Sequence, residues 1–176
     1  MATNLEYIKS ASGTDITQFN ITDIFSSKYD VYHINIYEYI NSDNSDFFTM
    51  RFLDSGGSLI SDNEYAYANF NMRFYTSSSQ NKSDSTTEIN NIGYSQSNSI
   101  SSTANTISIY NPFDSSSFTF VDWQGAINVH GFGGAGAKAI ACHKNAEQIT
   151  GVNFRAGASA SPNSINSIKA YVYGYR

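Results

Sequence analysis

The chain has little that could staple it covalently or bind it to a charged partner. Its single cysteine, Cys142, excludes an intramolecular disulfide and a cysteine-built metal cage, so the core and its neighbours must supply the stability. Charged residues are only 14% of the 176, against about 25% in an ordinary soluble domain. The ten Lys and Arg are scattered and the net charge is −5, which argues against the phosphate-neutralising surface of a nucleic-acid binder. No apolar run approaches the ~18 residues of a membrane-spanning helix. The opening MATNLEYIKS has no basic region followed by an apolar stretch, so no Sec signal is visible and a soluble protein made without Sec export is expected.

What the chain does hold is neutral polarity and aromatic rings. Ser and Asn make up about a quarter of it, and 13 Tyr and 12 Phe stand against one Trp. Tyr at this level suits sheet and contact surfaces, where the ring packs and the hydroxyl stays wet. Period-two alternation recurs along the chain. Tyr32, Ile34, Ile36 and Ile40 fall on one face of a strand, with Tyr29, Val31, His33, Tyr37 and Tyr39 on the other. A hairpin is expected between this strand and Phe48-Met50-Phe52. In the next strand Ala66, Ala68, Phe70, Met72 and Phe74 read as inward and Tyr65, Tyr67, Asn69, Asn71, Arg73 and Tyr75 as outward. The polar run 76–87 reads as a surface loop. Ile89–Tyr94 is a weak strand, Thr106–Tyr110 is one closed by Asn111-Pro112, and Phe118–His130 and the small-residue stretch to His143 follow. A final strand pair, Thr150-Val152-Phe154 and Ile168-Ala170-Val172, closes the chain.

The expected fold is all-β: a single jelly-roll-like β-sandwich of about nine strands with no substantial helix. Residues 1–27 read as an N-terminal arm with a first strand and residues 28–176 as the sandwich.

Chemical motifs are thin. GFGGAGAK (131–138) has the wrong order for a phosphate loop, because Ala137 separates Gly136 from Lys138 and Ala139 stands where a hydroxyl is needed. His33, His130 and His143 lack zinc-ligand spacing. Asp43-Asn44-Ser45-Asp46 lacks the Gly and distal Glu of a calcium loop and reads as a solvated turn. Asp62 and Glu64 are carboxylates in one loop, and Ser58 in GGSLI is no nucleophile elbow. The expectation is therefore no enzyme, no catalytic residue, no cofactor and no metal. Tyrosines remain as the candidate interface: Tyr29, Tyr37, Tyr39, Tyr65, Tyr67, Tyr171, Tyr173 and Tyr175. They read either as cross-strand ladders or as subunit contacts.

Over residues 28–176 the order of segments resembles a family of tailed-phage virion structural proteins. The matching features are YDVYHINIYEYI, a Ser/Asp loop, FTMRFLDSGGSLISDNEYAYANF, a Ser-rich insert, Ile107-Ser108-Ile109-Tyr110-Asn111-Pro112, the Phe118–Trp123 strand and a close on Tyr-Gly. The ending Val-Tyr-Gly-Tyr-Arg departs from the family's usual Leu-Tyr-Gly-Ile-Lys. The resemblance implies a non-enzymatic virion component: a capsid decoration or cement protein, or a head-fibre component, that binds the shell. Its partners would be copies of itself, as a trimer, and the major capsid protein or other virion proteins. The alternative is a tail-fibre or tail-associated module binding a receptor or host surface glycan. A hydrolase of envelope sugar lacks the paired acids or nucleophile it would need.

Overall fold

The computed structural model describes residues 5–42, 48–73, 77–90, 103–129, 133–157 and 163–175, and these form strands and connections with no helix. Among the described residues there are eleven strands: β1 (Glu6–Ile16), β2 (Phe19–Ile21), β3 (Val31–Asn41), β4 (Phe48–Asp54), β5 (Tyr65–Arg73), β6 (Ser79–Thr86), β7 (Ala104–Tyr110), β8 (Thr119–Val129), β9 (Gly133–His143), β10 (Ile149–Ala156) and β11 (Ile165–Tyr175). They build an eight-stranded sheet of order β1-β11-β3-β7-β8-β9-β5-β6 and a three-stranded sheet of order β2-β10-β4, antiparallel throughout. The fold is a β-sandwich, as the alternation predicts.

The pairing is nested as in a jelly roll. β1 pairs with β11, β2 with β10 and β3 with β7, while β4 meets a bridge at Ile89. Successive strands of this nest alternate between the sheets. Two insertions then lengthen the large sheet. β5–β6 lies between β4 and Ile89 in sequence, β8–β9 lies between β7 and β10, and β5 joins β9 edge to edge.

This topology corrects two expected hairpins. β3 and β4 lie in different sheets, as do β10 and β11. Each bears an apolar face, and facing across the core buries more of it than lying side by side. The run 76–87, expected as a loop, supplies β6 on one edge of the large sheet. Its Ser, Gln, Asn, Lys and Asp side chains are the polar dressing that keeps a free edge from pairing further. Residues 6–21, expected as an arm and first strand, supply β1 and β2, an edge strand of each sheet.

Between the sheets lies one apolar core, with Phe19, Ile21, Phe48, Met50, Phe52, Val152 and Phe154 from the small sheet. Tyr32, Ile34, Ile36, Ile107, Ile109, Val121, Trp123, Ile168, Ala170 and Val172 face them from the large one. Thr119, Val121 and Trp123 point inward, as their shared parity predicts. On β4 the residues between the core positions are buried too: Arg51 holds Glu88 at 3.1 Å, with both side chains about nine-tenths shielded. Gly174 is required where it stands, because a Cβ there would meet the Tyr29 ring at 2.5 Å.

Candidate functional site: the outer face of the large sheet

The inner face of the large sheet is core, so a site on that sheet must lie on its other face. A bulge sets what that face shows. Between Lys169↔Glu38 and Ala170↔Ile36, β3 carries one residue more than β11, and that residue is Tyr37. Past it the parity of β3 inverts: Tyr39 is buried and Ile40 only half-buried, the reverse of simple alternation. Tyr37 itself turns outward, 44% exposed, and its ring stacks on Tyr171 at 5.0 Å and 16°. Its hydroxyl pKa is pushed up to about 12, first by the hydrogen bond with Tyr171, so Tyr37 stays neutral at physiological pH. Tyr7 packs on Tyr171 and Tyr173, and His33 stacks on Tyr175 at 4.9 Å. Burial lowers the pKa of His33, and its Nδ1 lies 3.0 Å from Ser108 Oγ.

Beside this aromatic cluster, two cross-strand rows of polar side chains run over β3, β7 and β8. One is Asn35, Thr106 and Gln124; the other is His33, Ser108 and Asp122. Apart from His33 they line a groove of about 510 Å³ with Tyr37 at its side. Asp122 Oδ1 is buried and accepts no hydrogen bond.

Further across, on the inserted strands, the face becomes apolar. Phe70, Met72, Phe118, Phe120 and Ile140 stand 43–61% exposed. A second recess of about 510 Å³ opens beside Phe120 and Ile140, lined also by Ala66, Ala68, Tyr110, Asp122 and Cys142. Phe70 and Met72 were expected inside. The orientation of β5 is the reverse, with Tyr65, Tyr67, Asn69 and Asn71 buried. The Tyr65 hydroxyl explains the choice: it accepts from Phe52 N–H at 3.0 Å and donates to Ile60 O at 3.2 Å, contacts that Ala66 could not make.

Four of the eight candidate interface tyrosines are consequently core residues. Tyr39 packs on Phe48 at 4.6 Å, Tyr65 is hydrogen-bonded as above, Tyr67 receives Asn81 Nδ2, and Tyr29 covers Gly174 and donates to the Glu6 carboxylate. Tyr37 and Tyr171 are exposed and Tyr173 and Tyr175 half-buried, all on the outer face.

The other sequence candidates separate in space. His33 and His143 lie on opposite faces of strands with two strands between them, and His130 is outside the described residues, as are Asp43-Asn44-Ser45-Asp46 and Tyr75. Ser58 N–H donates to Asp54 Oδ1 at 2.9 Å in a turn held open by Gly57 at φ 78°. Of GFGGAGAK, the described residues Gly133 to Lys138 lie in β9, with no helix after them to meet a phosphate. Cys142 faces the apolar recess, and burial raises its thiol pKa, the opposite of an activated nucleophile.

One cluster was not visible in the sequence. His143 Nε2 lies 2.8 Å from Glu147 Oε1 and 3.9 Å from Glu64 Oε2. The three could hold a metal by distance, but His143 Nδ1 is buried without a hydrogen-bond partner. Metal on Nε2 would put the ring proton on Nδ1 with no acceptor, whereas metal-bound histidines almost always donate that proton. The arrangement fits Nε2–H donating to Glu147 Oε1.

Among the described residues no helix is long and apolar enough to cross a membrane. In comparison with known proteins, no family model and no curated protein matches the chain.

Proposed function

We propose that the chain is a non-enzymatic structural protein of a tailed-phage virion, a capsid decoration or head-fibre component that binds the shell and assembles with copies of itself. The observation that carries this reading is the apolar outer face on β5, β8 and β9, where Phe70, Met72, Phe118, Phe120 and Ile140 stand exposed together. Side chains of that size left in water on adjoining strands mark a surface made for another protein. The jelly-roll nesting and the low charge suit a part that works by surface contact. Immunogold labelling of intact particles tests it: label over the icosahedral shell is expected. Absence of label, with the epitope shown to be accessible, would overturn it.

A second reading, a tail-associated receptor- or carbohydrate-binding module, draws on the polar groove beside Tyr37. Label confined to the tail would favour it.

A further inference from the structure

We infer that the groove on the outer face of β3, β7 and β8 is a binding site for neutral carbohydrate, with Asp122 as its central acceptor and Tyr37 as its aromatic wall. The inference rests on the second reading and names its site and ligand class.

Size comes first. About 510 Å³ falls within the roughly 300–1,000 Å³ of small-molecule sites. The lining then narrows the ligand. Asn35, Thr106, Ser108, Gln124 and Asp122 offer amide, hydroxyl and carboxylate groups, and no Lys or Arg lines the groove. A phosphate or an anionic polymer would find no cation here and one carboxylate against it. A polyol suits it, because each sugar hydroxyl both donates and accepts.

Asp122 supplies the sharpest indication. Its Oδ1 lies beneath the surface and accepts no hydrogen bond, so a small rotation of this half-buried side chain would bring an unsatisfied acceptor into the groove. Ser108, its cross-strand neighbour, is engaged with His33, and His33 is held towards its neutral form by burial. A ligand hydroxyl donating to the carboxylate so turned would satisfy it without bringing in charge. Tyr37 adds the apolar half of sugar recognition. The bulge turns it outward beside the polar rows, and stacking on Tyr171 fixes its ring. A ring set in advance loses little side-chain entropy when a C–H-rich sugar face packs against it.

The test titrates the full chain with glucose, galactose, mannose, rhamnose and N-acetylglucosamine and their β-linked disaccharides, read by saturation-transfer NMR. At least one is expected to bind, and Asp122→Asn, Tyr37→Ala and the exposed-residue change Gln124→Ala are each expected to weaken it about tenfold, roughly the loss of one good polar contact. Phe70→Ser, on the apolar part of the face, should leave binding unchanged. If a sugar binds but the three groove variants bind it as well as the parent, the site assignment is overturned while the carbohydrate-binding reading stands. If no sugar in the panel binds at about 10 mM, a free energy near −3 kcal/mol, both fall.

Discussion

Tyr65 shows how one hydroxyl can set the orientation of a strand. Alternation alone allows β5 either of two faces, and the apolar count favours Phe70 and Met72 inside. Buried Tyr65 instead bridges Phe52 N–H and Ile60 O, satisfying two backbone groups that would otherwise be orphaned in the core. Tyr65→Phe should therefore cost about 1–3 kcal/mol at neutral pH in urea unfolding, because Phe52 N–H loses its acceptor. Burial also raises the Tyr65 pKa above its ordinary value of 10.0. A phenol with a higher pKa folded than unfolded keeps its proton better when folded. Its contribution is complete below about pH 10 and declines as pH rises past that point. Unfolding free energies measured between pH 8 and 11.5 should fall above about pH 10, and the fall should be smaller in Tyr65→Phe. An identical decline in both proteins would show that Tyr65 is not its source.

At the level of elements, irregularities decide which residues meet water. The extra residue at Tyr37 reverses β3 midway, so Tyr39 enters the core and Tyr37 leaves it. Strict period two could not reveal that, because a bulge is fixed by the partner strand and not by its own sequence. β5 has no such break opposite β9 and is inverted as a whole. A paired substitution checks the inversion. Phe70→Ser with Met72→Ser should change stability by no more than about 0.5 kcal/mol per site, as exposed positions do. Tyr67→Ser should cost several times as much. The opposite ranking in denaturant unfolding would mean that Phe70 and Met72 are the buried pair. β6 illustrates another limit of sequence reading: Ser79–Thr86 has no apolar face, and it is a strand because β5 offers an unpaired edge beside it.

For the whole molecule, the two insertions are what give the sandwich its exposed apolar face. A bare jelly-roll nest would end the large sheet near β7, and β8, β9, β5 and β6 extend it by four strands. Four of the five most apolar exposed positions of the extension, Phe70, Met72, Phe120 and Ile140, sit on those strands and the fifth, Phe118, adjoins β8. Phe120→Ser with Ile140→Ser should lower the association measured by analytical ultracentrifugation and reduce binding to particles depleted of the protein, while circular dichroism stays as in the parent. Unchanged assembly would remove this face from the contacts.

The sequence by itself determined the class of the fold: alternating apolar residues over short stretches, one cysteine and no helical stripe leave a core-stabilised β-sandwich, and Thr119-Val121-Trp123 and Ile168-Ala170-Val172 already show their inward faces. It also supplied Tyr37, Tyr171, Tyr173 and Tyr175 as surface candidates, for Tyr tolerates either side of a sheet. Only the tertiary structure decided which tyrosines those were, which strands paired, and that Asn35, Ser108 and Asp122 share a groove. The reason is physical. Alternation records that a strand has two faces, whereas pairing order, bulge position and the direction of each face depend on partners far along the chain, and period two carries no information about them.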